Sequence, residues 1–115
     1  MGRITTHVLD TAAGRPAAGL KVILSRLDGT PAVVTETVTN ADGRCEKPLL
    51  DGPAFAPGCY EIVFHVGEYF RRTGVALADP PFLDIVPVRF GVAEDAHYHV
   101  PLLVSPFAYS TYRGS

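Results

Sequence analysis

His97-Tyr98-His99-Val100-Pro101-Leu102-Leu103-Val104 reads as a β-strand with two unlike faces. Alternation with period two puts Tyr98, Val100, Leu102 and Val104 on one side and His97, His99, Pro101 and Leu103 on the other. The first set is a core face, so both imidazoles point together, away from the interior. Near the other end of the chain, Ile4, Thr6 and Val8 form one face of a strand and Thr5, His7 and Leu9 the other. This reading puts His7 on the same outer side as His99, and three of the four histidines gather outside the core.

Outward from these two strands, short runs rich in Val, Ile, Leu, Thr, Phe and Tyr alternate with Gly, Pro, Asn and Asp clusters. About eight runs satisfy strand criteria. They are Ile4 to Leu9, Leu20 to Leu27, Ala32 to Thr39, Cys45 to Leu50, Tyr60 to Phe64, Leu83 to Phe90, Tyr98 to Val104 and Phe107 to Tyr112. The stretch Asn40-Ala41-Asp42-Gly43 is a strong turn signal, because these residues tolerate the positive φ of tight reversals. Only Gly67 to Thr73 has good helix formers, with Gly74 as a C-terminal stop. Strands at this spacing without alternating helices predict an all-β, eight-stranded antiparallel sandwich with one short helix around 67–73.

The 115 residues fit a single domain, 1–115, and 47% hydrophobic against 19% charged residues describes a chain that buries a core. A net charge of -2 with scattered basic residues speaks against nucleic acid and against an anionic membrane surface as partners. No signal peptide and no apolar run near the ~20 residues of a membrane span are present, so a soluble, cytoplasmic protein is expected. Cys45 and Cys59 lack a CxxC spacing or an adjacent histidine, and are read as free thiols without a nucleophilic role.

A surface histidine is most often simply solvated. His-x-His on a strand also suits a metal, with His7 as a third ligand. Acid–base work ranks above metal here because no Cys, Asp or Glu stands beside these positions, and imidazoles near their ordinary pKa of ~6.5 move protons at neutral pH. Arg44, directly after the Asp42-Gly43 turn, is either a solvated turn residue or a clamp for carbonyl and oxyanion groups. The Tyr112-Arg113-Gly114-Ser115 terminus is by default frayed, and docked if functional. Lys47, Asp51, Glu94 and Asp95 read as surface charge.

Three segments carry a resemblance. Thr6-His7-Val8-Leu9-Asp10-Thr11 with Gly14-Arg15-Pro16-Ala17 and Gly19-Leu20, the turn Asp42-Gly43-Arg44, and the run from His97 to Ser115 resemble the motifs of the 5-hydroxyisourate hydrolases, relatives of transthyretin. The resemblance implies a transthyretin-like sandwich assembled as a homotetramer, a dimer of dimers, with a channel lined by the outer faces of the first, seventh and eighth strands. It implies hydrolysis of 5-hydroxyisourate without cofactor or metal. By matching positions, His7 and His99 would orient and deprotonate water, Arg44 would hold substrate and stabilise negative charge, Tyr112 would bind the ring, and Ser115 would complete the pocket. His97 receives no role. The carrier transthyretin lacks these histidines and this terminus, which leaves a small-ligand binding protein as the alternative.

Overall fold

In the computed structural model, which describes residues 2–115, the chain runs β1 (Arg3–Thr5), β2 (Val8–Asp10), β3 (Arg15–Pro16), β4 (Lys21–Arg26), β5 (Ala32–Val38), β6 (Leu50–Asp51), β7 (Gly58–His65), α1 (Val66–Arg72), β8 (Ile85–Val92), β9 (His97–His99), β10 (Leu102–Val104) and β11 (Tyr109–Thr111). One layer has the order β5-β4-β7-β8 and is antiparallel throughout. The other layer is built from two short sheets, β6-β1-β9 and β11-β10-β2-β3. They continue one another, because β1 and β2, and likewise β9 and β10, are single extended runs interrupted at Thr6-His7 and Val100-Pro101.

The interruption has a chemical cause. The Val100 carbonyl accepts the Thr6 hydroxyl at 2.6 Å. On the other edge Pro101 brings no N–H. The chain returning from β11 therefore pairs at Leu102 and again at His99, while the Pro101 carbonyl accepts the Thr111 hydroxyl at 2.8 Å. The two strands read from the sequence as continuous are thus each split, so the eight expected runs become ten strand pieces, and β3, which lies outside all of them, makes eleven. A second departure concerns direction. The first and seventh runs pair parallel, Thr5 opposite His99 and Val8 opposite Leu102, within a fold that is otherwise antiparallel. The third is Cys45 to Leu50, of which only Leu50 enters a strand; Pro48 supplies no ladder donor there.

The inward faces are as the alternation predicts. Ile4, Val8, Tyr98, Val100, Leu102 and Val104 from one layer and Val22, Leu24, Tyr60, Ile62, Phe64 and Val86 from the other form one buried core. Helix α1 adds Val66, Tyr69 and Phe70 to it and is followed by Gly74 at φ 92°. The Asn40–Gly43 turn also forms: Asn40 Oδ1 accepts the backbone N–H of Asp42 at 2.9 Å and of Arg44 at 3.2 Å, with Gly43 at φ 73°. A Cβ on Gly43 would meet the Val8 carbonyl, so this turn packs directly on β2 and delivers Arg44 to its edge. Cys45 and Cys59 are free thiols.

Tyr69 donates its hydroxyl to Asp10 Oδ2 at 2.8 Å inside the core, while Asp10 Oδ1 accepts two N–H groups from Ala12 and Ala13. Replacing Tyr69 with Phe strips a donor from a buried carboxylate. The expected cost is about 1–3 kcal/mol, to be read from urea unfolding of Tyr69→Phe beside the parent protein. A midpoint equal to the parent's would show that this bond contributes nothing to stability.

Candidate active site

The parallel register of β1 on β9 decides which side chains meet. Arg3 lies opposite His97, and Thr5 opposite His99. The Thr5 hydroxyl therefore falls between two imidazoles, 2.7 Å from His97 Nε2 and 2.7 Å from His99 Nδ1. Two residues further along the same outer face, His7 Nδ1 lies 2.8 Å from His99 Nε2, and the two rings stack with centroids 5.0 Å apart. The result is a continuous line of hydrogen bonds, His97–Thr5–His99–His7.

Arg44 and the C-terminal segment reach the same place by different routes. The Asn40–Gly43 turn sets Arg44 in an antiparallel bridge with His7, where the interruption of the sheet leaves His7 open to a new partner. The C-terminal segment is docked, not frayed. Gly114 N–H donates to the His99 carbonyl at 2.7 Å, and the Arg113 guanidinium lies 4.0 Å over the Tyr98 ring. A Cβ on Gly114 would sit 2.7 Å from His99 Cδ2, so glycine is what lets the segment lie flat against this imidazole. Together these elements line an open cleft of about 480 Å³ that includes Thr5, His7, Arg44, His99, Tyr112 and Ser115.

Electrostatics here depart from the expectation of ordinary imidazoles. His99 is only 8% exposed. Burial, then the neighbouring His7, Arg44 and His97, bring its pKa down to about 4. His7 is lowered by burial and by Arg44, and His97 by desolvation and by Arg3 and Arg113. The causes are those general physics supplies: a low-dielectric site beside fixed positive charge disfavours an imidazolium. The histidines are consequently held as neutral bases, and the tautomer of each is coupled to that of its neighbour in the line. Burial raises the Cys45 thiol, which lines the same cleft, and so works against a thiolate there.

All five residues expected at a site, His7, Arg44, His99, Tyr112 and Ser115, border this one cleft. Ser115 borders the cleft but is exposed in the single chain, and Tyr112 is 58% exposed. His97, given no role from the sequence, belongs to the hydrogen-bonded line; Lys47, read there as surface charge, borders the cleft, as does Arg3. Thr5 was missed as a functional group altogether. Its signal was the alternation that puts it on the face of His7, but only the register shows that it lies between two histidines. Among the described residues no group of three or more His, Cys, Asp or Glu is arranged to hold a metal ion.

Comparison with known proteins adds an independent line. The model of the HIUase/Transthyretin family matches residues 4–114. The 5-hydroxyisourate hydrolase 2 of Rhizobium meliloti (strain 1021) is 63% identical over 99% of this chain and 97% of its own. Among solved structures, Klebsiella pneumoniae 5-hydroxyisourate hydrolase superposes with a TM-score of 0.83 at 35% identity, covering 100% of both chains. An (S)-allantoin synthase superposes with a TM-score of 0.95 at 50% identity over 99% of this chain, which spans 44% of that longer protein. With a family model matched across nearly every residue and a sandwich whose interrupted strands gather the motif residues around one cleft, the chain belongs to the HIUase/Transthyretin family.

Proposed function

We propose that the protein hydrolyses 5-hydroxyisourate, opening the six-membered ring at an amide bond to give 2-oxo-4-hydroxy-4-carboxy-5-ureidoimidazoline in urate breakdown. The observation that carries this reading is the direct His7–His99 hydrogen bond with Arg44 beside it. A pair of neutral imidazoles in hydrogen-bonded contact takes a proton from water and returns it, which is the work of amide hydrolysis. In this mechanism His7 and His99 orient and deprotonate the water. Arg44 holds the substrate's carbonyl edge and stabilises negative charge as the tetrahedral centre forms. Tyr112 packs against the ring, and Ser115 closes the cleft. Each of these steps uses the protein's own groups and calls on no cofactor or metal.

A transthyretin-like carrier that binds a small aromatic ligand without chemistry is the competing reading, and it has no use for a line of proton-transfer groups. Following freshly generated 5-hydroxyisourate by ultraviolet absorbance, with and without a chelator, separates the two. Decay faster than the uncatalysed rate in both cases supports a metal-free hydrolase. Decay at the uncatalysed rate supports the carrier, and activity lost to the chelator restores a metal.

The lowered imidazole pKa values set a pH dependence. A base whose pKa is lowered stays unprotonated to more acid pH, so activity present at neutrality persists as pH falls through 6.5 and is lost only below it. The expected kcat/KM profile has its acid limb below 6.5. A limb centred at or above 6.5 would mean that neither His7 nor His99 is the titrating base.

The residues 1–115 are taken as one hydrolase domain acting as a homotetramer, a dimer of dimers, in the cytoplasm. Support for the assembly is the exposure of Tyr112, which lines the cleft, and of Tyr109 and Phe107 earlier in the same C-terminal segment, aromatic surface that a partner would cover. Light scattering is expected to report four copies; an active monomer would contradict this. Among the described residues no helix is long and apolar enough to cross a membrane.

A further inference from the structure

We propose that Thr5 and His97 act as positioning residues that extend the His7–His99 pair into a four-member proton relay. The proposal builds on the hydrolase reading. Three hydrogen bonds of 2.7, 2.7 and 2.8 Å join His97 Nε2, Thr5 Oγ1, His99 Nδ1, His99 Nε2 and His7 Nδ1 in an unbroken series. His7 Nε2 is the ring nitrogen turned away from that series and free to face a reacting water.

The series permits two polarities. In one, His7 Nδ1–H donates to His99 Nε2, His99 Nδ1–H to Thr5 Oγ1, and the Thr5 O–H to His97 Nε2. In the other, every bond runs the opposite way. As water attacks the amide carbonyl, a C–O bond forms and the water proton passes to His7 Nε2. The bonds then reverse in turn and the positive charge comes to rest on His97. When the C–N bond breaks, the reversal runs back and His7 Nε2–H protonates the leaving nitrogen. The carboxylic acid formed loses its own proton directly to solvent. Water, amide, acid and amine balance, and the relay ends each turnover as it began.

Burial explains why such a relay is useful. His99, wedged between His7, Arg44 and His97, resists holding a positive charge, so a proton arriving there passes on. His97 is the least enclosed of the three, although Arg3 from β1 and Arg113 from the C-terminal segment face it and keep it a weak base. A charge held there is further from Arg44 and returns readily. Among the described residues, the hydroxyl at position 5 is the only hydrogen-bonded link between the two halves of the series.

The test is a double-mutant cycle on kcat with 5-hydroxyisourate, using Thr5→Val, Thr5→Ser, His97→Gln and Thr5→Val/His97→Gln, with melting curves for each. The relay predicts that Thr5→Val and His97→Gln each lower kcat by roughly tenfold with KM little changed, a modest part of what acid–base catalysis contributes. The double variant should fall no further than the worse single one, because both break one path. Thr5→Ser, which keeps the hydroxyl, should recover most of the loss. A parent-like kcat in Thr5→Val, or losses that multiply in the double variant, would overturn the relay. Should Thr5→Val fail to fold, parent-like kcat in His97→Gln overturns it by itself. A parent protein without turnover would instead refute the hydrolase reading, a separate outcome.

Discussion

Deleting Arg113-Gly114-Ser115, or adding an affinity tag after Ser115, is expected to abolish most turnover while the sandwich still folds. The core residues lie elsewhere, and β11 ends at Thr111, before the deleted segment. What the deletion removes is the Gly114 N–H on the His99 carbonyl, the Arg113 guanidinium on the Tyr98 ring and the Ser115 wall of the cleft. Each helps to fix where His99 stands, and small displacements of a reacting group are expensive in rate, about 10²-fold for roughly 1 Å. The tag tests space instead of contacts, since atoms added at Ser115 start from the wall of the cleft. Gly114→Ala offers a finer probe: its methyl group collides with a His99 ring already held on both nitrogens. Steady-state assays of the three proteins decide. A tagged protein with parent-like turnover would place this end outside the working site.

Substituting His7, His99 or Arg44 by Ala is expected to lower kcat on the order of 10²-fold or more, the usual loss for a general base or one oxyanion donor. The three should differ in stability. Arg44 is exposed and His7 half-buried, so their removal should leave melting nearly unchanged. His99 is buried and bonded on both nitrogens. His99→Ala therefore leaves His7 Nδ1 without its partner and the Thr5 hydroxyl with His97 alone, and should cost about 1–3 kcal/mol. Kinetics paired with melting curves separate the two effects. Near-parent activity in His99→Ala with a normal melting curve would show that this imidazole takes no part in the reaction.

Much of this architecture was legible because it rests on local rules. The inward faces of the first and seventh runs follow from side chains alternating across an extended backbone, and Ile4, Val8, Tyr98 and Leu102 are buried as that alternation demands. The Asn40–Gly43 turn and the 66–72 helix follow from residue types with strong local preferences. The Cys45 to Leu50 run was misjudged because apolar content says little about pairing when a proline removes the donor. The breaks at Thr6-His7 and Val100-Pro101 were missed for a related reason: they depend on which backbone group a side-chain hydroxyl reaches across strands 94 residues apart in sequence.

The sequence by itself determined that this chain is an all-β sandwich, that three histidines leave its core together, and, through its motifs, which family it belongs to. Those properties are written in periodicity and residue type, which act over a few positions. Only the tertiary structure decided that β1 and β9 run parallel, that Thr5 stands between His97 and His99, that Arg44 pairs with His7, and that Gly114 lies flat on the His99 ring. Each of these is a matter of register between distant segments. A register slip of one residue would turn every outer side chain inward, so it is fixed by the packing of the whole core and not by the residues that form the site.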